Sequence, residues 1–248
     1  MRAAADGGGC FPTGRHYPGI AHLLRVVVAG ILEELGADAA VGALPWVAID
    51  TETTGMDPAE ARVIEIACVW LEADGSVGRK SWLVDPGRPI PAEAVAVHGI
   101  TDEAVRGKPA FAAIAHELLE ALEARVPVAY NADFDRAFLL AELGRAGVLG
   151  ARTPPAVRRG VEWIDPLVWA RELFKYEKGF SLGEMCARVG VSLATAHRAT
   201  DDAEAALGLL QDFLRDTRVP RGYAAFLQEQ RRLARLQGDD RNRWRARL

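Results

Sequence analysis

The segment Trp46 to Asp50 constrains the fold more than any other, because it is an unbroken apolar run that ends in an acid. Such a run predicts a central strand buried on both faces, as in sheets that are covered by helices on both sides. Two more strands are predicted at Arg62 to Glu72 and at Val77 to Asp85, and the residues Ala73 to Ser76 between them favour a hairpin turn. Three consecutive strands are therefore expected to open the folded part of the chain.

After these strands the apolar residues recur at intervals of three and four, which predicts helices. Helices are predicted from Pro109 to before Pro127, after Asn131, after Ser181 and over Asp201 to Leu214, with short strands at Val128 to Tyr130 and Val161 to Ile164. Asn131 can cap its helix, and Ser181 with Glu184 is a capping-box pattern. Three strands followed by alternating helices and strands predict an α/β fold, a mixed β-sheet flanked by α-helices.

The two ends of the chain differ in composition from its middle. Residues 1–19 contain a glycine run and two prolines, which predicts a flexible segment, and a helix is predicted over Ile20 to Leu35 with Gly36 as its stop. The chain has 248 residues, half of them hydrophobic, enough to bury one sizeable core. We therefore predict an N-terminal segment and helix at 1–44, one domain at 45–217 and a basic, arginine-rich tail at 218–248.

Cysteine spacing and hydropathy limit the classes of protein that fit. The cysteines Cys10, Cys68 and Cys186 stand far apart without a C-x-x-C pair, which argues against a zinc site or a disulfide framework and fits a reducing cytoplasm. Ile20 to Leu35 is too short and too charged to span a bilayer. We expect a soluble, cytoplasmic protein with no membrane partner. Its net charge of −4 argues against phosphate binding unless bound divalent cations offset it.

Asp50 and Glu52 are the first candidates for chemistry. Because side chains alternate along a strand, these two carboxylates face the same side while Thr51 faces away. Carboxylate oxygens suit Mg²⁺ or Mn²⁺. Taken alone, the pair is explained equally well as solvated acids at the end of a strand.

Four later residues, three acids and one histidine, are candidates with a structural alternative of the same kind. Asp135 lies in the first turn of a predicted helix, where the helix dipole stabilises a negative charge with or without a function. Asp201 and Asp202 open the last predicted helix and could be capping acids, Asp201 forming a box with Glu204. His197 precedes Asp202 by five residues and could not share its face on one helix, so we predict a loop position for it.

Considered together, these residues fall into three segments that occur in a fixed order. The segments are DTETTG at Asp50 to Gly55, NADFD at Asn131 to Asp135 and HRATDDA at His197 to Ala203. They resemble the three motifs of the DEDDh, or DnaQ-like, family of 3′-to-5′ exonucleases, which includes proofreading subunits of bacterial DNA polymerase III. The resemblance covers about Pro45 to Thr217. HGIT at residues 98–101 and SLGEMCARVGV at 181–191 are also similar to family segments.

The resemblance implies a ribonuclease-H-like fold and hydrolysis of the 3′-terminal phosphodiester to release nucleoside 5′-monophosphates, with two divalent metal ions, Mg²⁺ or Mn²⁺. Carried over to this chain, Asp50, Glu52 and Asp202 would bind one ion, Asp50 would bridge to the second, and Asp135 would support that second ion. His197 would be the general base. The residues implied to bind the terminal nucleotides are Thr53, Gly55, Met56, His98, Asn131 and Phe134.

The expected substrate is a DNA 3′ end, single-stranded or mismatched, in proofreading or repair, with a DNA polymerase subunit as candidate partner. One alternative is a 3′-to-5′ exoribonuclease of the same fold, and another is a non-catalytic scaffold that binds nucleic acid. Loss of a carboxylate or of His197 would favour the scaffold, and none is lost. Tyr130 and Thr200 stand where the family often has His and Leu, which we expect to alter packing or substrate fit.

The tail after residue 217 has two interpretations. It contains nine arginines against three acids, so as a mobile extension it would attract long single strands by releasing counterions. Alternatively, Tyr223 to Leu236 forms a helix that packs on the domain through Phe226, Leu227, Leu233 and Leu236.

Overall fold

The computed structural model describes residues 30–72, 76–150 and 153–245. Its sheet consists of β1 (Trp46–Thr53), β2 (Val63–Leu71), β3 (Val77–Leu83) and β4 (Val126–Val128) in the order β3-β2-β1-β4. β2 runs antiparallel to both β1 and β3, whereas β4 runs parallel to β1. The predicted mixed sheet is confirmed, with β1 and β2 as its inner strands. The residues predicted as the hairpin turn lie mostly outside the described residues.

β4 differs from its prediction, because it spans Val126–Val128 and contains Pro127, which was expected to precede the strand. The carbonyl of Pro127 accepts a hydrogen bond from the Ile164 N–H. A residue in a strand directs its N–H and C=O to the same side, so the donor that proline lacks faces Ile164 and not β1. Few residues pair with β4 on the side that faces Ile164. Within the described ranges, residues 161–164 form isolated bridges, to Gly30 and to Val128, and no fifth strand.

Eight α-helices are present in the described part of the chain. They are α1 (Ala92–His98), α2 (Asp102–Val105), α3 (Phe111–Ala121), α4 (Ala132–Arg145), α5 (Pro166–Leu173), α6 (Leu182–Val189), α7 (Ala199–Phe213) and α8 (Tyr223–Arg245). The capping box of Ser181 and Glu184 at the start of α6 is confirmed. The box expected from Asp201 and Glu204 is wrong, because α7 begins two residues earlier and Arg198 is its N-cap.

The alternation of side chains along β1 divides the core between the two faces of the sheet. Trp46 and Ala48 pack into a cluster with the apolar residues of α5, α6, α7 and α8. Val47 and Ile49 pack into a second cluster with those of α3 and α4. β1 is therefore buried on both faces, as its apolar run predicts. Asp50 and Glu52 continue the α7 face, and Thr51 continues the α4 face.

A helix was predicted over Ile20 to Leu35, but residues 1–29 lie outside the described residues. In the described part, from Gly30 to Leu35, the predicted helix is wrong. Gly30 has a φ of 89° and its carbonyl accepts a hydrogen bond from Glu162 N–H, a pairing that competes with helix formation. A short 3₁₀ segment, Glu33–Leu35, follows. Gly36 ends it with a φ of 78°, so the predicted stop is in place. The flexible segment predicted at 1–19 is outside the described residues.

Of the two alternatives for the C-terminal segment, the structure has the packed helix. Tyr223, Phe226 and Leu227 of α8 are fully buried and Leu233 is 3% exposed, whereas Leu236 is 43% exposed and does not belong to the core. The interpretation of the tail as a mobile extension is therefore wrong for residues 223–233. The domain limits of 45–217 stay a prediction. Among the described helices, each is too short or too polar to cross a membrane.

Candidate active site

The carboxyl end of β1 brings carboxylates from both faces of the sheet together. Asp50 and Glu52 lie on the α7 face, and Glu52 is 9% exposed. On the opposite face the Thr51 hydroxyl donates a 2.8 Å hydrogen bond to Oδ1 of Asp135, in the first turn of α4. Thr51 faces away from Asp50 and Glu52, as predicted, and its hydrogen bond fixes the carboxylate of Asp135. The interaction follows from the position of α4, which starts beside the end of β1.

The start of α4 is fixed by Asp165 and not by the side chain of Asn131. Asp165 accepts hydrogen bonds from the backbone N–H groups of Asn131 (3.0 Å) and Ala132 (3.2 Å), and also caps its own helix, α5, through Leu167 N–H. Asn131 has a left-handed φ of 71° and its side chain makes no capping hydrogen bond. Asn131 is therefore the N-cap residue, as predicted, but its side chain does not cap α4. Asp165 supplies the acceptors that position Asp135.

His197 lies on the loop before α7, as predicted, with an exposed side chain and a φ of 63°. Its backbone N–H donates a 3.1 Å hydrogen bond to Oδ2 of Asp202. Glu52, His197 and Asp202 each offer one metal-ligand atom, and these atoms all lie within 4.8 Å of one another. Residues that are 150 positions apart in the sequence thus meet at one site. Asp50, Glu52, Asp135 and Asp202 are called the acid cluster below.

The acids of β1 have strongly raised pKa values. Burial raises the pKa of Asp50 well above its ordinary value, and the charges of Asp135, Asp202, Glu52 and Glu65 add to the effect in that order. Burial, followed by repulsion from Asp202, Glu65 and Asp135, raises the pKa of Glu52 to about 7. Both effects disfavour the ionised carboxylate. Without a cation these side chains therefore retain their protons to a higher pH than ordinary carboxyl groups do.

The other two acids behave in the same direction. Burial raises the pKa of Asp135 to about 7, although the hydrogen bond from Thr51 acts against the rise. Burial also raises the pKa of Asp202, whose hydrogen bond from His197 N–H acts against it. Oδ1 of Asp202 is buried and has no hydrogen-bond partner within the described residues. That oxygen can serve as a ligand.

The residues present fit a divalent metal ion. Carboxylate oxygens are the ligands that Mg²⁺ and Mn²⁺ prefer. A cation would replace protons that the acid cluster otherwise retains, and it would coordinate the unpartnered Asp202 oxygen. The match lies in the chemistry of the donor set. That these residues hold two ions, Mg²⁺ or Mn²⁺, stays a prediction.

Thr53, Gly55 and Met56, which were expected to bind nucleotide, lie at the end of β1 and in the turn that follows it. Thr53 is 8% exposed and its hydroxyl donates to the Gly55 carbonyl at 2.6 Å, which shapes the turn. Gly55 and Met56 line a cavity of about 230 Å³ together with Arg88 of the loop after β3. Met56 is 79% exposed. Nucleotide binding by these three residues stays a prediction.

His98, Asn131 and Phe134 have more varied surroundings. His98 is buried, and its Nδ1 accepts a hydrogen bond from Ile100 N–H. Burial lowers the pKa of His98, the Thr53 backbone raises it, and His197 lowers it, so both residues lie near His98. Phe134 is half-buried and packs on Phe138, with ring centroids 4.8 Å apart. Asn131 is exposed at the start of α4. Nucleotide binding by these residues stays a prediction.

Two residues of the site were not identified from the sequence. Glu65 of β2 is paired with Glu52 in the strand register and is 5% exposed, so a fifth carboxylate adjoins the acid cluster. Nη2 of Arg198 lies 3.6 Å from Oε1 of Glu65, and Arg198 lowers the pKa of Glu52. A single acid within the apolar run of β2 was a usable signal for Glu65. Arg198 had no comparable signal beyond its position after His197.

Known proteins are similar to this chain over the residues that contain the site. A family model described as Exonuclease (RNase T) matches residues 47–210. DNA polymerase III subunit epsilon of Treponema pallidum is 33% identical over 166 residues, covering 66% of this chain and 74% of the relative. DNA polymerase III PolC-type of Streptococcus suis is 34% identical over 180 residues, covering 73% of this chain and 12% of the relative. The chain thus corresponds to a small part of the PolC-type polymerases.

Solved structures show the same fold. Exonuclease X, in complex with 5′ overhanging duplex DNA, is 28% identical with a TM-score of 0.54, and the match covers 73% of this chain and 98% of that chain. Exonuclease I of E. coli, in complex with a dT13 oligonucleotide, is 21% identical with a TM-score of 0.57, and the match covers 71% and 41%. At that identity the second likeness concerns the fold alone.

Proposed function

This chain belongs to the exonuclease family whose model it matches, and on that premise we propose that it is a metal-dependent 3′-to-5′ exonuclease that shortens DNA from its 3′ end. The observation that carries the proposal is the convergence of Glu52, His197 and Asp202, with ligand atoms within 4.8 Å, beside Asp50 and Asp135. A scaffold that only binds nucleic acid would not need this set. The complete set therefore favours an enzyme.

In the proposed reaction, water attacks the phosphorus of the last phosphodiester and the bond from phosphorus to the 3′ oxygen breaks. A ring nitrogen of His197 takes the proton of the attacking water, and the released 3′ oxygen of the shortened strand takes up a proton. Asp50, Glu52, Asp135 and Asp202 would hold two divalent ions, Mg²⁺ or Mn²⁺. When bound, such ions neutralise charge on the phosphate and lower the pKa of water.

DNA is the proposed substrate because of what the similar proteins are named. Exonuclease X was solved with duplex DNA, and the epsilon subunit and the PolC-type chains are named as parts of DNA polymerase III. RNA as a substrate stays the alternative. That a DNA polymerase subunit binds this chain stays a prediction, as do proofreading and repair.

The proposal is tested with 5′-labelled single-stranded DNA, mismatched duplex and RNA of the same sequence, with Mn²⁺ and with a chelator. We expect DNA to shorten one nucleotide at a time, nucleoside 5′-monophosphate to appear, and both to stop with the chelator. Asp50→Asn and His197→Ala should each lower kcat at least ~100-fold, His197→Ala with little change in KM. The matched controls are exposed residues outside the site, Asp38→Asn and His116→Ala.

Three results would count against the proposal. Unchanged cleavage by Asp50→Asn would remove the metal site from the mechanism. RNA degraded much faster than DNA would favour the exoribonuclease. Binding of both nucleic acids without cleavage, at any metal concentration, would favour the scaffold.

A further inference from the structure

Glu65 is a buried carboxylate outside the three motifs. It lies in β2, opposite Glu52, and is 5% exposed. Its Oε1 atom lies 3.6 Å from Nη2 of Arg198, and its Oε2 atom has no hydrogen-bond partner within the described residues. The negative charge of Glu65 raises the pKa of Asp50 and of Glu52. An acid placed among acids requires a compensating partner, and Arg198 is positioned to be one.

Arg198 connects this buried acid to the loop that carries His197. It follows His197 directly and is the N-cap residue of α7. Its side chain is 56% exposed, whereas that of Glu65 is 6% exposed. One end of the ion pair is therefore fixed in the sheet, and the other end belongs to the loop.

The loop is held in a conformation that residues other than glycine adopt rarely. His197 has a φ of 63°, in the left-handed region where a side chain meets steric conflict. Its N–H donates to Asp202 Oδ2, which fastens the loop to α7. The contact from Arg198 to Glu65 adds a second attachment, to a different element.

We propose that Glu65 and Arg198 are positioning residues for the exonuclease reaction, in which their ion pair ties the His197 loop to β2 and so sets where the imidazole lies relative to the acid cluster. This inference rests on the proposed function. Arg198 also offsets part of the negative charge at the site, since it lowers the pKa of Glu52.

The test uses Glu65→Gln, Arg198→Gln and the double variant of the full chain with Mn²⁺ and single-stranded DNA. Each single change should lower kcat roughly 10-fold or more while KM stays within about 3-fold. The double variant should be no slower than the slower single variant, because both changes break one contact. Arg79→Gln is the matched control, since it removes another Arg–Glu pair from the sheet to α7, with Glu204 at 2.7 Å.

A second readout does not depend on activity. Hydrogen exchange at the His197 backbone N–H in metal-free protein should speed up about 10-fold in both single variants, and Arg79→Gln should leave it unchanged. Unchanged exchange at His197 overturns the proposal, whatever the activity. This readout still tests the pair if the wild-type chain proves inactive, in which case it is the proposed function that fails.

Kinetics can overturn the proposal in two other ways. If the losses in kcat multiply in the double variant, the two residues act independently and are not a pair. If Glu65→Gln alone raises the Mn²⁺ concentration for half-maximal rate about 10-fold, Glu65 is a metal ligand instead.

Discussion

At the scale of single residues, burial disfavours the ionised form of each carboxyl group in the acid cluster. Burial raises the pKa of Glu52 and of Asp135 to about 7, from ordinary values of 4.5 and 3.8. Repulsion from Asp202, Glu65 and Asp135 adds to the rise for Glu52, and repulsion from Asp165 adds to it for Asp135. Between the ordinary values and pH 7 the folded chain holds protons that the unfolded chain has released. Linkage then makes the metal-free folded state more stable at low pH within this window, and less stable as the pH rises through 7.

We therefore expect the metal-free protein to unfold at a lower denaturant concentration at pH 8 than at pH 5.5. Adding Mn²⁺ at pH 8 should reverse the loss, because the cation replaces the protons. Glu52→Gln should make the dependence on pH shallower. Equilibrium denaturation with a chelator at the two pH values measures this effect. His98, whose pKa is lowered by burial, acts in the opposite direction below pH 6.5, so the comparison of the wild type with Glu52→Gln isolates the carboxylate effect. The same dependence on pH in both proteins would mean that Glu52 titrates normally.

The carboxylates whose pKa is lowered do not alter this sign. Asp216 and Glu117 are stabilised by Arg218 and by Lys80, and they titrate below pH 4.5. Their contribution is lost only as the pH falls further, which lies outside the window of the measurement.

At the scale of elements, Glu142 of α4 joins that helix to the start of β2. It is 1% exposed and accepts hydrogen bonds from Arg62 at 2.7 Å and 3.0 Å, and from Val63 N–H at 3.1 Å. Arg145 lies 3.3 Å away. The acid thus satisfies a backbone donor and two cations at once. The connection holds α4, and with it Asp135, against the sheet.

Glu142→Ala should lower the free energy of unfolding by about 2–3 kcal/mol, because it leaves the Val63 N–H and the Arg62 guanidinium without their acceptor. The matched control is Glu120→Ala, which removes an exposed acid of α3 whose contact is with His116. That control should change stability by less than about 0.5 kcal/mol. Chemical denaturation of the two variants side by side is the measurement, and equal effects would remove Glu142 from this role.

At the scale of the whole molecule, α8 completes the core on the α7 face of the sheet. The ring of Phe226 packs on that of Trp169 in α5, with centroids 4.7 Å apart. Gln230 donates to the Trp163 carbonyl at 2.8 Å and accepts from Asp165 N–H at 2.9 Å. Asp165 in turn holds the start of α4. The C-terminal helix is therefore connected to the site through two hydrogen-bonded residues.

Phe226→Ala should lower the free energy of unfolding by about 3–4 kcal/mol, because it leaves a cavity between α5 and α8. For a chain of this length each kcal/mol corresponds to roughly 2–4 °C in Tm. Leu236→Ala on the same helix is the matched control, since this leucine is 43% exposed and should change Tm little. Thermal unfolding distinguishes them. A small effect from Phe226→Ala would mean that α8 is dispensable to the core.

Much of the site could be predicted from the sequence because its signals are local. The motif residues stand at the ends of elements whose periodicity is visible over a few neighbours, so the loop position of His197 and the strand that carries Asp50 followed directly. The capping box at Ser181 is local for the same reason. The start of β1 was also correct, since a run of apolar residues marks it, and β3 starts at Val77 as predicted, directly after the predicted turn.

Only the tertiary structure decided which distant residues would share a contact. The pairing of Glu65 with Glu52 depends on a strand register that a single acid in β2 does not encode. The cap of α4 comes from Asp165, 34 positions after Asn131, and α8 is fixed by packing despite its arginines. Local pattern sets the type and the approximate limits of each element, because it depends on neighbours in the chain. Register, capping across the fold and burial of a charged helix depend on which surfaces remain to be covered once the sheet has formed.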